Sequence, residues 1–167
     1  SAVASKLAIE QYGDACQVVY CDTMRTEHPD NARFFADCQE WFGRQITTIR
    51  SEKYETVDDV FMRTRYMAGP YGARCTVEMK KIPRLKFQRP DDVHIFGLTA
   101  DEGPRISRFT ADHPDLVLDW ILLGNRYTRD RCYARLRQDG LPLPVMYGLG
   151  YRNNNCLGCV KATSGRY

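Results

Sequence analysis

Short apolar runs that end in polar residues, separated by stretches of ten or more residues with helical periodicity, constrain this chain more than any other feature. The run "ACQVVYCDT" ends in Asp22 and Thr23, and "VHIFGLT" ends in Thr99. Between and around them lie "RQITTIR" and "DLVLDWIL", which read as further strands. A strand, a helix and a parallel strand form a βαβ unit, whose crossover covers a sheet face. The expected fold is therefore α/β, a doubly wound parallel sheet flanked by helices. Ligands of such sheets sit beyond the carboxyl ends of the strands, which selects Asp22, Thr23, Thr99, Glu102 and Arg105 as crevice neighbours.

The helices carry their own punctuation. "SAVASKLAIEQYG" reads as a helix capped by Ser1 and stopped at Gly13, with Val3 and Leu7 on one face. In "HPDNARFFADCQEWFG", Phe34, Phe35, Cys38, Trp41 and Phe42 recur at helical spacing from a cap at Asp30 or Asn31 to Gly43. Val57, Val60, Phe61 and Met62 support a helix that runs out at "AGPYGARC", a loop expected to lack regular structure. "CTVEMKKIPRLKFQ" reads as helical with an interruption or kink at Pro83, "ADEGPRISRF" as a helix start, and "TRDRCYARLRQDG" as a helix closed by Gly140.

At 167 residues, 43% hydrophobic and 27% charged, the chain suits a single domain over 1–167. Twenty-four Lys and Arg against 21 Asp and Glu give +3, too mild a balance to propose a polynucleotide or membrane partner from charge alone. No apolar run approaches the roughly 20 residues that span a bilayer. The seven cysteines lack the density of a secreted disulfide scaffold, which points to a reducing cytoplasm.

Cys156 and Cys159, in the 150–161 loop "GYRNNNCLGCVK", form a Cys-x-x-Cys pair around Gly158. Two thiolates at that spacing can face one metal or cluster, and Cys75 in the Gly- and Pro-rich loop is a third candidate, with a plain structural thiol as its other reading. A dithiol or simple packing is the alternative. The three asparagines before Cys156 suit either amide donors to cluster sulfurs or caps of the turn. Cys16, Cys21, Cys38 and Cys132 sit in apolar settings and read as buried structural thiols.

Lys80, Lys81 and Arg84, with Arg105 and Arg108, form a cationic set suited to phosphate or sulfate; Arg105 stands out because it closely follows a strand end. Solvated surface charge is the other reading for each. Asp22 with Thr23 suits a ribose hydroxyl, a base edge or a magnesium ion, or else caps the next loop. His28, His94 and His113 are dispersed and propose neither a triad nor a zinc site; His94, in a strand, reads as core.

Together "SAVASKLA", "YCDTMRTEHPDN", "GPYGARCTVEMKKIPR", "FGLTADEGPRISRF" and "PVMYGLGYRNNNCLGCVKA" resemble the phosphoadenosine phosphosulfate (PAPS) reductase family, within the adenine nucleotide alpha hydrolase-like (PP-loop) superfamily. The likeness covers nearly the whole chain and is greatest to the short phage and prophage members. It implies a nucleotide-binding α/β domain, here without its first strand and most of its Ser-Gly-Gly-x-x-Ser phosphate loop, of which Ser1 is the last serine. By the same resemblance Ser1 contacts phosphate, Asp22 and Thr23 the adenosine, and Glu102 with Arg105 the phosphate or sulfate end; Thr99, selected by the strand-end rule, joins the nucleotide-binding set, and Lys80 and Arg105 of the cationic set are the candidate catalytic residues.

The resemblance further implies a 4Fe-4S cluster held by Cys75, Cys156 and Cys159, with ATP, PAPS or its unphosphorylated analogue as the nucleotide, and magnesium as an optional companion. The implied partners are a thiol electron donor or a sulfur donor, with a homodimer and a nucleic-acid acceptor left open. The Glu-Cys-Gly-Leu-His catalytic tail of the sulfonucleotide reductases does not occur in these residues. Oxidoreductase and sulfur transferase chemistry therefore both stand as expectations, as does a non-catalytic nucleotide-binding module.

Overall fold

The computed structural model describes residues 1–70 and 72–162. In chain order the elements are α1 (Ala2–Tyr12), β1 (Val19–Cys21), α2 (Asp30–Phe42), β2 (Thr47–Ile49), α3 (Val57–Thr64), β3 (Ala68–Gly69) and β4 (Gly72–Ala73). There follow α4 (Arg74–Thr76), a π-helical segment (Val77–Lys81), α5 (Ile82–Phe87), β5 (Val93–Ile95), α6 (Gly103–Asp112), β6 (Val117–Asp119), α7 (Ile121–Gly124), α8 (Arg129–Gln138) and α9 (Val145–Gly148). The protein is mixed α/β. Both parallel pairs are joined through a helix as expected of βαβ units: β1 with β2, in register Tyr20 to Thr48, and β5 with β6, in register His94 to Leu118.

The described residues gather into two compact units, each built from separated segments. One holds Ser1–Val18, Asp37–Gln45 and Arg89–Leu143. Its interior is formed by Val3, Ala4 and Ala8 of α1 with Ile121 and Leu122 of α7 and Leu136 of α8. The small alanines let α1 approach its neighbours closely, and Leu7 remains half-buried. At Gly97, just past β5, a side-chain carbon would lie 2.6 Å from Ser1 Cα. Only a glycine admits the start of α1 this near to the strand end.

The other unit holds Val19–Ala36, Ile46–Gln88 and Pro144–Tyr167. Val60, Ala73, Met79 and Met146 form its apolar interior, together with buried Thr23, Asn31 and Glu78. One of its helices, α3, starts on a side chain that meets an orphan backbone group. Thr56 accepts from the Asp59 N–H at the start of α3, and Arg65 ends that helix in the left-handed region at φ 55°. A side chain at this φ costs about 1 kcal/mol, so Arg65→Gly is expected to raise the melting temperature by a few degrees. Thermal denaturation of the two proteins checks this; a lower midpoint would mean that the arginine side chain outweighs the backbone strain.

Several local expectations are corrected. β1 is parallel but not buried: Val19, like Val93 and Val117, is exposed at the first position of a three-residue strand. The loop "AGPYGARC" is not irregular, because Ala68–Gly69 pairs antiparallel with Gly72–Ala73; its Tyr71 lies outside the described residues. Cys75 consequently sits on the first turn of α4 rather than in a loop, since extended Ala73 caps the helix. "DLVLDWIL" is a strand only to Asp119, after which Ile121 opens α7. At Pro83 the helical run continues: the wider π turn at Val77–Lys81 precedes it, and the proline falls in the first turn of α5, where no amide donor is needed. Of the four thiols read as buried, only Cys38 is; Cys16, Cys21 and Cys132 are half-buried.

Candidate functional site

In the unit that contains β1, the polypeptide turns sharply at the strand's carboxyl end. Asp22 keeps its N–H on Ile49 O (2.8 Å), and its Oδ1 accepts the Met24 N–H (3.1 Å), capping the 3-10 turn Met24–Thr26. Its other oxygen faces Arg50 at 3.8 Å. The capping reading of Asp22 is thus realised, with one carboxylate oxygen directed to a cation.

Thr23 is 3% exposed and donates its hydroxyl to Glu27 Oε1. The same oxygen accepts from the Tyr20 hydroxyl (3.1 Å), while Glu27 Oε2 accepts from Asn31 Nδ2 (2.7 Å). Burial, then the neighbouring charge of Glu27, pushes the Tyr20 phenol well above its ordinary range, which keeps it a neutral donor. Asn31 passes the network on, its Oδ1 accepting from Asn154 Nδ2 (2.9 Å).

Asn154 belongs to the asparagine run before Cys156, and the residue after Cys156 is anchored as well. The Leu157 N–H donates to Thr26 O (2.8 Å). Cys156 is therefore bracketed by two hydrogen bonds to the segment that follows β1. Gly158 takes φ 65°, closing the turn that brings Cys159 round. Both thiols act on Cys75, whose pKa is raised first by burial and then by the charges of Cys156 and Cys159, against the nearby Lys161 ammonium. Among the described residues no group of three or more Cys, His, Asp or Glu is placed to hold a metal ion, so Cys75, Cys156 and Cys159 are neighbours here and not an assembled site. Three thiols with a half-buried, glycine-containing turn are a soft donor set, the kind that selects zinc or iron–sulfur over hard cations.

Lys80 is exposed on the π segment, and its carbonyl lies 3.7 Å from the Cys21 thiol. Nearby Glu78 is buried and paired with Arg74 at 2.7 Å.

In the unit that contains β5, Thr99 and Glu102 form a capping box at the start of the turn leading into α6. Glu102 Oε2 accepts from the Thr99 N–H (3.0 Å) and hydroxyl (3.1 Å), and Oε1 accepts from Arg105 at 2.7 Å. Burial opposes the charged form of Glu102, but the hydrogen bonds from Thr99 and Arg105 prevail and its pKa falls below the ordinary value. Thr99 and Glu102 are thereby occupied in holding the helix start. Arg105, with its side chain 70% exposed, remains able to meet an anion. Ser1 makes no side-chain cap to α1, contrary to expectation, and instead packs its backbone against Gly97.

The expected residues thus fall into two sets. Asp22, Thr23, Lys80, Cys75, Cys156 and Cys159 lie in one unit, and Ser1, Thr99, Glu102 and Arg105 in the other. Sequence reasoning assigned no role to Glu27 and read Asn31 only as a possible helix cap, although both stand in the stretch "TEHPDN". The signal was a carboxylate and a carboxamide at helical spacing beside a strand end; the partner, 123 residues away in Asn154, is not visible from spacing. No helix among the described residues is long and apolar enough to cross a membrane. Comparison with protein-family models, with curated protein sequences and with solved structures finds no match to this chain.

Proposed function

We propose that this chain is an adenine-nucleotide-dependent enzyme of sulfur metabolism, built as a doubly wound α/β domain of the PAPS reductase kind and working in the cytoplasm. The observation that carries the reading is the anchoring of the Cys-x-x-Cys loop to the turn at the carboxyl end of β1, through Leu157 to Thr26 and Asn154 to Asn31. A strand end that receives nucleotide and a thiol set that receives a cluster are what sulfur activation needs in one place. The seven free thiols agree with a reducing compartment.

In this reading Cys75, Cys156 and Cys159 hold a 4Fe-4S cluster, which supplies an electrophilic iron or a site for sulfide when bound. Within the unit that contains β1, Asp22, by its oxygen nearer Arg50, meets the adenosine and Thr23 shapes that turn from the interior; the phosphate roles of Ser1 and Arg105 rest on the resemblance alone. Lys80 offers a second cation. With a phosphosulfate substrate, a donor thiol attacks the sulfonyl sulfur, the bond from sulfur to the phosphate oxygen breaks, and the nucleotide leaves as an anion that positive side chains stabilise. A second thiol then forms a disulfide with the first and releases sulfite.

The test is sulfite release from PAPS by anaerobically purified protein supplied with a dithiol, together with titration calorimetry of ATP and PAPS. Arg105→Ala is expected to weaken nucleotide binding by about 1.5 kcal/mol, the low end of a charged hydrogen bond, because Glu102 already shares the guanidinium. Unchanged affinity returns Arg105 to the solvated surface. Sulfite release selects reduction; nucleotide consumption without sulfite, stimulated by a polynucleotide, selects transfer of sulfur to nucleic acid. Absence of nucleotide binding rejects both.

A further inference from the structure

The hydrogen bonds that bracket Cys156 have a direction, and one residue sets it. A carboxylate only accepts, so Glu27 obliges Asn31 to turn its NH2 group inward, toward Oε2 (2.7 Å). Asn31 then presents its carbonyl outward, and Asn154 must answer with its own NH2 (2.9 Å). Both amide orientations follow from the charge at Glu27, and Asn31 is 6% exposed, so water does not offer an easy substitute partner. The outcome at the far end is that Asn154 Oδ1 is buried with no hydrogen-bond partner among the described residues.

We propose that Glu27 is a positioning residue for the cysteine loop, acting through the polarised relay from Glu27 to Asn31 to Asn154 and so holding Cys156 in the conformation that takes up metal. The metal half of this statement rests on the function proposed above; the positioning half does not. Every member of the relay and all three candidate ligand cysteines belong to one compact unit. The anchor acts close to its target: Asn154 lies two residues before Cys156 in the chain. Tyr20 and Thr23 fix the other end by donating to Glu27 Oε1, leaving Oε2 to Asn31.

Direction can be tested by reversing it. In Asn154→Asp two acceptors face each other at Asn31, and rotating the Asn31 amide only moves the clash to Glu27. Adding Glu27→Gln supplies the missing donor: the glutamine NH2 meets Asn31 Oδ1, Asn31 Nδ2 meets the new carboxylate, and the glutamine carbonyl still accepts from Tyr20 and Thr23. The double variant carries the same net charge as the wild type with every bond of the relay reversed.

The experiment is site-resolved alkylation of Cys156 and Cys159 by iodoacetamide in metal-free protein, read by mass spectrometry. Asn154→Asp is expected to react roughly 10-fold faster than wild type, and E27Q/N154D to return to within about 3-fold of it. E27Q alone is expected to be mild, because the neutral Asn154 amide can rotate to match. Rates for N154D equal to wild type, or a double variant as fast as N154D, overturn the relay. If N154D does not fold, folding of the double variant is the same rescue and its failure to fold the same refutation.

A second arm titrates anaerobic protein with Co2+ and follows thiolate-to-cobalt absorption. Weaker binding in N154D and recovery in E27Q/N154D support the link to metal uptake, and equal affinity in all three overturns that link. No thiolate absorption in the wild type rejects the cluster reading itself, and the alkylation rates then decide the relay alone.

Discussion

Cys156→Ala is expected to abolish most of the iron that the anaerobically reconstituted protein retains. The wild type should approach about four irons per chain with a broad visible absorption that bleaches in air. Cys156 is the proposed ligand to remove first because it is bracketed by two hydrogen bonds, with Leu157 held on Thr26 and Asn154 on Asn31. Loss of one thiolate from a set of three leaves two ligands, too few to retain a cubane against competing thiols. Because ligands bind the folded state, cluster affinity appears as folding stability, and the variant should lose the stabilisation that iron confers on the wild type. Metal-free variant and wild type should melt within a few degrees of each other, since the residue is half-buried and packs little apolar volume. Cys132→Ala, a half-buried thiol at the amino-terminal part of α8, is the control and should keep its iron. Equal iron in wild type and Cys156→Ala would end the ligand assignment, and zinc in place of iron would leave the fold untouched while removing the sulfur-carrying chemistry.

Much of the local architecture is legible in the sequence because it depends on residues that are near neighbours. The helix stops at Gly13, Gly43 and Gly140 were placed from glycine alone, and all three adopt positive φ. The two parallel pairs follow from apolar runs flanking a helix-length segment, a pattern that needs no knowledge of the partner strand. What stayed hidden has a common cause. The β3–β4 pair spans two residues per strand, too short for any period to register. "DLVLDWIL" is apolar in both its strand and its helical half, so hydrophobicity could not mark the change at Trp120. The relay at Glu27 depends on a contact between positions 31 and 154, and polar residues advertise capacity without naming their partner. Thr99 and Glu102 illustrate the reverse: a capping box is a purely local pattern, and their spacing of three residues is enough to form it at the turn into α6.

Gly97→Ala is expected to be the most damaging single-methyl change in the unit that contains β5. The added carbon would meet Ser1 Cα at 2.6 Å and Ser1 N at 3.0 Å, so the obstruction is backbone rather than a side chain that could swing away. Either α1 retreats or the chain after β5 does, and overpacking of this kind costs about 1 to 3 kcal/mol. That corresponds to a fall of roughly 3 to 10 °C in the melting temperature of a chain this long. Gly124→Ala makes the same chemical change at the end of α7, where no residue beyond its chain neighbours lies within 4 Å of the new carbon and no proline follows. There the methyl restricts the unfolded chain and favours the helix, so stability should hold or rise by up to about 1 kcal/mol. The contrast isolates close backbone approach from loss of glycine as such. Nucleotide affinity adds a functional reading: if Ser1 meets phosphate, displacing it should weaken ATP or PAPS in Gly97→Ala beyond any effect in Gly124→Ala. Equal affinities in the two variants, with Gly97→Ala clearly destabilised, would mean that the approach of α1 to β5 serves packing alone.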